Sequence, residues 1–417
     1  MEQNPTNGHD TSEHNAGEHN GGGHDAGTWS DLLAAIERPI QEARGLPNYT
    51  YTGRDFALQE RDAVLARSWT CIGAASAIPN PGDTRPAELI GLPLVTVRGR
   101  DGQVRVFHNV CSHRGHRLVS KPCNGLTVLR CPYHSWAYDF EGRLRATPAI
   151  GGMGKNNVEG FDKSKHGLRE VRSAIWLDQI FINLSGDAPA FEDYIAPLAA
   201  RWADFDFGLI RHGGPDSSMQ FDIRCNWKLA VENFCEAYHL PWIHPGLNAY
   251  SRLQDHYNIA EDGRFAGQGS TAYKPQMTNA GPPLPHFPGL PSKWDAASEY
   301  IALFPNIMFG VHCDHVFAVR LEPLGPERTL EHFEIYYVGD EPLGTDYDGV
   351  RKEVAANWRE VFAEDVGVVE EMQLGRASPA FQGGLFTPVH ETPTHCFHRW
   401  MARSLASAEG AARAGAG

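Results

Sequence analysis

The sequence predicts an α+β protein built from a small all-β domain and a larger domain in which long helices bracket strands. Three observations carry that expectation. From Thr70 to Leu184 the chain reads as short apolar runs punctuated by Gly and Pro turns, the texture of a β domain of about 110 residues. Beyond Phe191, two stretches, 226–240 and 351–376, carry helical periodicity and bracket strand-like runs such as Val316–Leu321 and Leu330–Val338. Inside the β part, Cys111-Ser-His113 and Cys131-Pro-Tyr-His134 place one Cys and one His on each of two arms.

Taken in order, residues 1–27 are Gly, Asn, His and acidic, with almost nothing apolar to bury, and are expected to be disordered. His9, His14, His19 and His24 recur there; such a tract can chelate metal, but a solvated tail is the simpler reading. Residues 28–66 are expected to form N-terminal helices packed on the larger, α+β domain. The first is capped at Ser30 with Leu32, Leu33 and Ile36 on one face, and a second, Phe56 to Trp69, buries Leu58, Val64, Leu65 and Trp69. The all-β domain is placed at 67–187, the α+β domain at 188–405, and a flexible tail at 406–417.

The 417 residues suffice for two or three domains with a full core, and 41% hydrophobic content marks a soluble globular chain. No apolar run approaches the roughly 18–20 residues of a membrane span. The start, Met1-Glu-Gln-Asn-Pro, lacks the basic and apolar regions of a secretory signal, so a cytoplasmic location is expected. A net charge of −14 argues against a nucleic-acid partner. Cys71, Cys123, Cys225, Cys235, Cys313 and Cys396 are read as small buried hydrophobes.

The mixed arms decide between two metals. A Rieske [2Fe–2S] cluster needs two thiolates on one iron and two imidazoles on the other, which Cys111, Cys131, His113 and His134 supply. Cys₂His₂ also suits zinc, but zinc fingers put both Cys on one arm and both His on the other.

A second site is suggested by Asn226-Trp-Lys-Leu-Ala-Val-Glu-Asn-Phe-Cys-Glu-Ala-Tyr-His239 running into Leu240-Pro-Trp-Ile-His244. On a continuous helix, Trp227, Val231, Phe234 and Tyr238 share an apolar face, and Glu232, Glu236 and His239 gather on another. That second face could equally be a plain solvated one. His239 and His244 would diverge by roughly 140° on a regular helix, so both reach one ion only if the backbone departs from α geometry, as Pro241 suggests. Two imidazoles and a carboxylate with open positions form the facial triad of non-haem Fe(II) oxygenases. In the helix around 355–375, Asp365 sits amid an apolar arc of Trp358, Val361, Phe362, Val368, Val369 and Met372. Glu360, Glu364 and Glu371 lie opposite, with Glu370 to one side. A carboxylate on a buried arc needs a strong partner, either a metal or a core Arg.

Together these motifs resemble the catalytic subunits of Rieske non-haem iron oxygenases, the ring-hydroxylating oxygenase family, from about Pro47 to Leu405 and including the closing His398-Arg-Trp-Met-Ala-Arg. His116 and Tyr133 stand where the cytochrome-complex branch of Rieske proteins carries its disulfide. The resemblance implies a helix-grip catalytic domain with mononuclear Fe(II) on His239, His244 and Asp365. It implies a homotrimer in which one subunit's cluster faces its neighbour's iron, with Glu236 bridging the two. Many aromatic-ring dioxygenases carry Asp at that place. The Glu and the Glu-Ala-Tyr-His-Leu-Pro-Trp-Ile-His-Pro context are more similar to the branch acting on choline, betaines and carnitine.

The expected activity is that of a terminal oxygenase using O₂ as co-substrate for hydroxylation or oxidative demethylation of a small organic molecule. No flavin or nicotinamide fingerprint is present, so NAD(P)H acts only through a separate reductase, with or without a ferredoxin. Two alternatives stand beside it: a cis-diol-forming aromatic dioxygenase, and an electron carrier with an inert C-terminal half. Trp242, Tyr250, Tyr257, Phe265, Tyr273, Trp294, Phe304, Phe309 and Phe317 are candidates for caging an ammonium or stacking on a ring.

Overall fold

The computed structural model describes residues 29–273 and 281–415, with side chains to Gly410. The expected disordered tail at 1–27, with its four spaced His, lies outside the described residues. Helices α1 (Trp29–Ile36), α2 (Tyr49–Thr52) and α3 (Arg54–Glu60) open the fold, and α3 ends in a π turn, Arg61–Leu65. The expected helix through Trp69 therefore stops four residues early. Val64, Leu65 and Trp69 are buried as anticipated, whereas Leu58 points to solvent.

Strands β1 (Thr70–Ala74), β2 (Thr84–Leu89), β3 (Leu92–Arg98), β4 (Val104–His108), β5 (Leu129–Arg130), β6 (Ala137–Tyr138), β7 (Leu144–Ala146), β8 (Glu170–Trp176) and β9 (Gln179–Asn183) form the all-β domain. Six of them make an antiparallel sheet in the order β1-β9-β8-β4-β3-β2, and β5-β6-β7 form a small sheet of their own. Phe107, Leu129, Tyr138, Phe140 and Leu144 pack with Cys111 and Cys131 in a separate apolar cluster beneath the ligand loops.

After α4 (Phe191–Arg201) come β10 (Ile210–His212), β11 (Ser218–Ile223), α5 (Trp227–Cys235), α6 (Leu240–Ile243) and α7 (Pro245–Asn248). They are followed by β12 (His256–Glu261), β13 (Phe265–Ser270), β14 (Ser298–Leu303), β15 (Ile307–Val311), β16 (His315–Gly325) and β17 (Arg328–Val338). The antiparallel sheet runs β10-β17-β16-β15-β14-β13-β12, with β11 also paired to β17. Helices α8 (Asp348–Gly375) and α9 (Thr392–Gly415) complete the chain, in the expected helix-grip arrangement. No helix among the described residues is long and apolar enough to cross a membrane.

The central strands read as unbroken apolar runs because both faces are covered. Tyr300, Phe317, Val319 and Phe333 join α5, α8 and α9 in one core. Their neighbours Ile301, Val316, Ala318 and Tyr336 join α4, Trp69 and Phe181 in another. The site lies on the first side, between sheet and helices.

Two buried charge clusters tie the N-terminal helices to this domain. Lys228 Nζ donates to Glu60 Oε1 at 2.5 Å, Trp227 Nε1 donates to Glu60 Oε2 at 2.9 Å, and Tyr51 and Phe56 present their rings to the ammonium. Glu232 accepts from Tyr51 Oη at 2.5 Å and from Arg376 at 3.3 Å, with His398 Nε2 3.3 Å away. Burial opposes its charge, but His398, Arg376 and the Tyr51 hydroxyl overcome that and hold the carboxyl at about 2.

Two expectations are corrected. The chain end from 406 is not a loose tail: α9 continues to Gly415, because the Ala-rich run from Ala402 has high helix propensity. Cys123 and Cys313 are only partly buried, unlike Cys71, Cys225, Cys235 and Cys396, because both lie on loops.

Candidate metal centres

The helix expected over 226–240 ends at Cys235. Asn226 caps its start by accepting from Lys228 N at 3.1 Å, and Glu236 leaves it with extended backbone, φ −123° and ψ 160°. The reason is local: the Glu236 carboxylate turns back and accepts from the backbone N–H groups of Tyr238 and His239, starting a new turn. Pro241 falls in the first turn of α6, where its missing N–H is tolerated. The departure from α geometry falls at His244 itself, with ψ 62°, and the two imidazoles come to 5.1 Å between ring centroids. Because the helix broke first, Tyr238 is exposed rather than part of the α5 apolar face.

Helix α8 brings Asp365 to them. Its Oδ1 lies 3.0 Å from His244 Nε2 and 3.7 Å from His239 Nε2, and the three ligand atoms lie within 4.8 Å of one another. Asn233 Nδ2 donates to the same carboxylate oxygen at 3.3 Å. No Arg occurs among the ion pairs of Asp365 in the described residues, so of the two partners weighed the core Arg is not the one.

Each imidazole is held from behind. His239 Nδ1 donates to Glu236 Oε1 at 2.6 Å, and His244 Nδ1 donates to Glu364 Oε2 at 2.7 Å. Both tautomers are thereby set with Nε2 facing the common point. Burial works against a charged His244, but the Asp365 and then the Glu364 carboxylates raise its pKa above the ordinary value. Two imidazoles and one carboxylate at these separations fit a single Fe(II) with positions left open.

The loops after β4 and β5 share one build. Cys111 N donates to His116 O and Cys131 N to Trp136 O, each five residues on; Gly115 N and Ser135 N return to the Cys carbonyls. Both fourth residues take positive φ, 74° at Gly115 and 58° at Ser135. The two Cys are buried while His113 and His134 are exposed, their rings 4.7 Å apart. His113 stacks on Trp136 at 4.6 Å, and Tyr138 Oη lies 3.2 Å from Cys111 Sγ. Paired thiols beneath and paired imidazoles above suit a [2Fe–2S] cluster of Rieske type.

Residues 68–161 match the Rieske [2Fe-2S] domain family, and residues 211–407 match the ring hydroxylating alpha subunit (catalytic domain) family. The carnitine monooxygenase oxygenase subunit of Escherichia coli (strain K12) is 31% identical over 353 residues, covering 82% of this chain and 87% of that protein. This chain is a Rieske non-haem iron oxygenase. The glycine betaine monooxygenase oxygenase subunit of Chromohalobacter salexigens is 28% identical, covering 90% of this chain and 89% of its own length. In fold, the oxygenase is similar to a quaternary ammonium Rieske monooxygenase solved with L-carnitine, with TM-score 0.73, 24% identity, and 89% of this chain and 98% of that one covered. Naphthalene 1,2-dioxygenase from Rhodococcus shares the fold at TM-score 0.64 and 20% identity, over 91% of this chain and 98% of that one. The oxygenase is thus an oxidoreductase with a [2Fe–2S] cluster and a mononuclear iron, the terminal component of a system supplied by a separate reductase.

The cavity beside Asp365 is walled by Phe234, Tyr300, Phe317, Trp358 and Phe362. Of the candidate aromatics only Phe317 is among these. Tyr273 and Trp294 line a neighbouring cavity, and Trp242 is 68% exposed. Tyr300 was invisible as a candidate because it sits in a continuous apolar strand whose two faces the sequence does not distinguish. Glu364, read as part of a solvated face, is instead turned to His244. Glu331 was missed too: burial, and then the charge of Asp365, push its carboxyl up to about 8.

Proposed function

We propose that this oxygenase is a monooxygenase for a quaternary-ammonium compound, with His239, His244 and Asp365 as iron ligands and Cys111, His113, Cys131 and His134 as cluster ligands. The observation that carries the substrate class is the ring-lined cavity. Five aromatic side chains surround the space next to the triad, and Asp365 is its only acidic wall residue among those described. Aromatic faces attract a desolvated trimethylammonium group without needing a carboxylate that would compete for the iron. The relatives named for carnitine and glycine betaine support the same class.

Bound there, Fe(II) supplies O₂ activation, and the cluster supplies electrons one at a time. The chain does the rest. Glu236 and Glu364 accept from the Nδ1–H groups and so aim each imidazole's Nε2 at the metal side, and the aromatic walls exclude bulk water and set one substrate carbon against the open positions. Overall, a C–H bond, O₂, two electrons and two protons become C–OH and water. Where that carbon is an N-methyl, the product collapses to an aldehyde and the demethylated amine.

The assembly is read as a cytoplasmic homotrimer. Exposed His113 and His134 support transfer out of the cluster face, and Glu236, bonded to His239, supports reception by a neighbouring subunit. The test is product analysis with reductase, ¹⁸O₂ and a panel of carnitine, glycine betaine and choline. Aldehyde or alcohol carrying one labelled oxygen is expected. A cis-diol carrying both from an aromatic substrate, with no turnover of the panel, overturns the reading.

A further inference from the structure

The iron-side cavity has a volume of about 50 Å³. On a scale where one water needs roughly 10–15 Å³, that accommodates a small head group but not a whole molecule the size of carnitine. A second cavity of about 230 Å³ adjoins it, and Trp358 lines both. Tyr273, Trp294, His312 and His315 enclose the second cavity together with the acidic Asp295 and Asp314, and exposed His286 stands at its solvent side.

The partition between them is held in a defined state. Trp358 Nε1 donates to His315 Nε2 at 3.0 Å, and His315 Nδ1 donates to Asp314 Oδ1 at 2.7 Å, which uses both nitrogens of His315. His312 stacks flat on that ring at 4.3 Å and packs against Tyr273, Trp358 and Tyr300 at 4.5, 5.3 and 5.5 Å. It is 1% exposed, yet neither of its ring nitrogens has a hydrogen-bond partner among the described residues. Burial, then the neighbouring His315, hold its pKa well below the ordinary value, so the ring is neutral, with one N–H to give and one lone pair to fill. A buried imidazole with both nitrogens idle is costly unless a ligand completes it.

Resting on the quaternary-ammonium reading, we propose that the second cavity receives the oxygen-bearing tail of the substrate, with His312 donating its ring N–H to a carboxylate or hydroxyl oxygen. The ammonium head then stands on the iron side, among Tyr300 and Trp358. His312 would be a specificity residue that selects molecules carrying an oxygen several bonds from the nitrogen.

Calorimetry on the iron-loaded holoenzyme without reductase, so that nothing turns over, tests this with three ligands. These are γ-butyrobetaine, choline, and butyltrimethylammonium, which has no oxygen. The wild type is expected to bind one of the oxygen-bearing ligands about tenfold more tightly than butyltrimethylammonium, the scale of one hydrogen bond. Which of the two is preferred identifies carboxylate or hydroxyl. His312→Phe should erase the preference while leaving butyltrimethylammonium within about twofold of wild type, and His312→Gln, which keeps an N–H donor, should retain part of it. His312→Leu repeats the loss if the Phe ring does not pack, with iron content and the cluster spectrum confirming each fold. Equal binding of all three ligands by wild type, or a preference surviving His312→Phe or Leu, overturns the assignment of His312. Binding of none of the three overturns the quaternary-ammonium reading, and this inference with it.

Discussion

Cys111, His113, Cys131 and His134 stand on two loops of the same build, within one short stretch of chain. His239, His244 and Asp365 meet only because a broken helix and the middle of α8 are pressed together over a sheet. In the first region, backbone bonds at matching offsets shape each loop, and the imidazoles are left in solvent. In the second, side-chain bonds from Glu236, Glu364 and Asn233 orient the three converging side chains, and His244 is 2% exposed. The difference follows from the chemistry. A redox centre that exchanges electrons with other proteins must be reachable, and local sequence can build it; a centre that handles O₂ must be enclosed, and enclosure takes a whole domain.

The largest expected effect comes from removing the carboxylate ligand. Asp365→Ala should abolish turnover and lower the iron content from about three to about two per chain, with the cluster's visible spectrum unchanged. Loss of the cluster in that variant would mean the two regions are not independently built. Next is Glu236→Gln, which should keep all the iron and the cluster spectrum but nearly abolish turnover; normal turnover would exclude Glu236 from the electron route. Glu364→Gln probes the support alone. Iron affinity should fall by about 10- to 100-fold, as for other partners of metal-bound imidazoles, read by chelator competition, and excess Fe(II) should restore activity.

The smallest effect is on stability in acid. Glu232 is held at about 2 when folded against 4.5 as its ordinary value, so its contribution is complete above 4.5 and drains away as pH falls toward 2. Denaturant midpoints measured from pH 6 down to 3 should decline, and Glu232→Gln should be less stable at pH 6 with a flatter decline. An unchanged slope would show that the buried charges around α5 do not support the iron-binding half.

The same contrast explains what the sequence made legible. The build of the two Cys–His loops could be read whole, since the residue types and their spacing lie within consecutive residues. His239 and His244 were legible from composition and spacing, and Asp365 from its place on an apolar arc, because burying a carboxylate requires a reason. Glu364 was not: helical periodicity assigns it to solvent, and only the chain around His244 folding back over that flank of α8 gives it a partner. Tyr300 was equally hidden, since an antiparallel sheet covered on both faces carries no polar alternation to mark which residues meet a cavity, and His312 lies in the short turn between β15 and β16, where no periodicity marks a buried side chain. The break at Glu236 escaped notice because its cause, a carboxylate capping the next turn, competes with a helix pattern that is otherwise sound.

Trp358, Val361, Phe362 and Asp365 occupy successive turns of a single helix. With Asp365 as the proposed iron ligand, helix α8 would be both the wall against which the substrate is measured and the beam from which the iron is hung. A slide or rotation of α8 that widened the cavity would also pull the carboxylate away from the imidazoles. Divergence toward new substrates is thus channelled into exchanging individual side chains at fixed backbone positions, above all on the facing strands, where Tyr300 and Phe317 can change without carrying the metal with them.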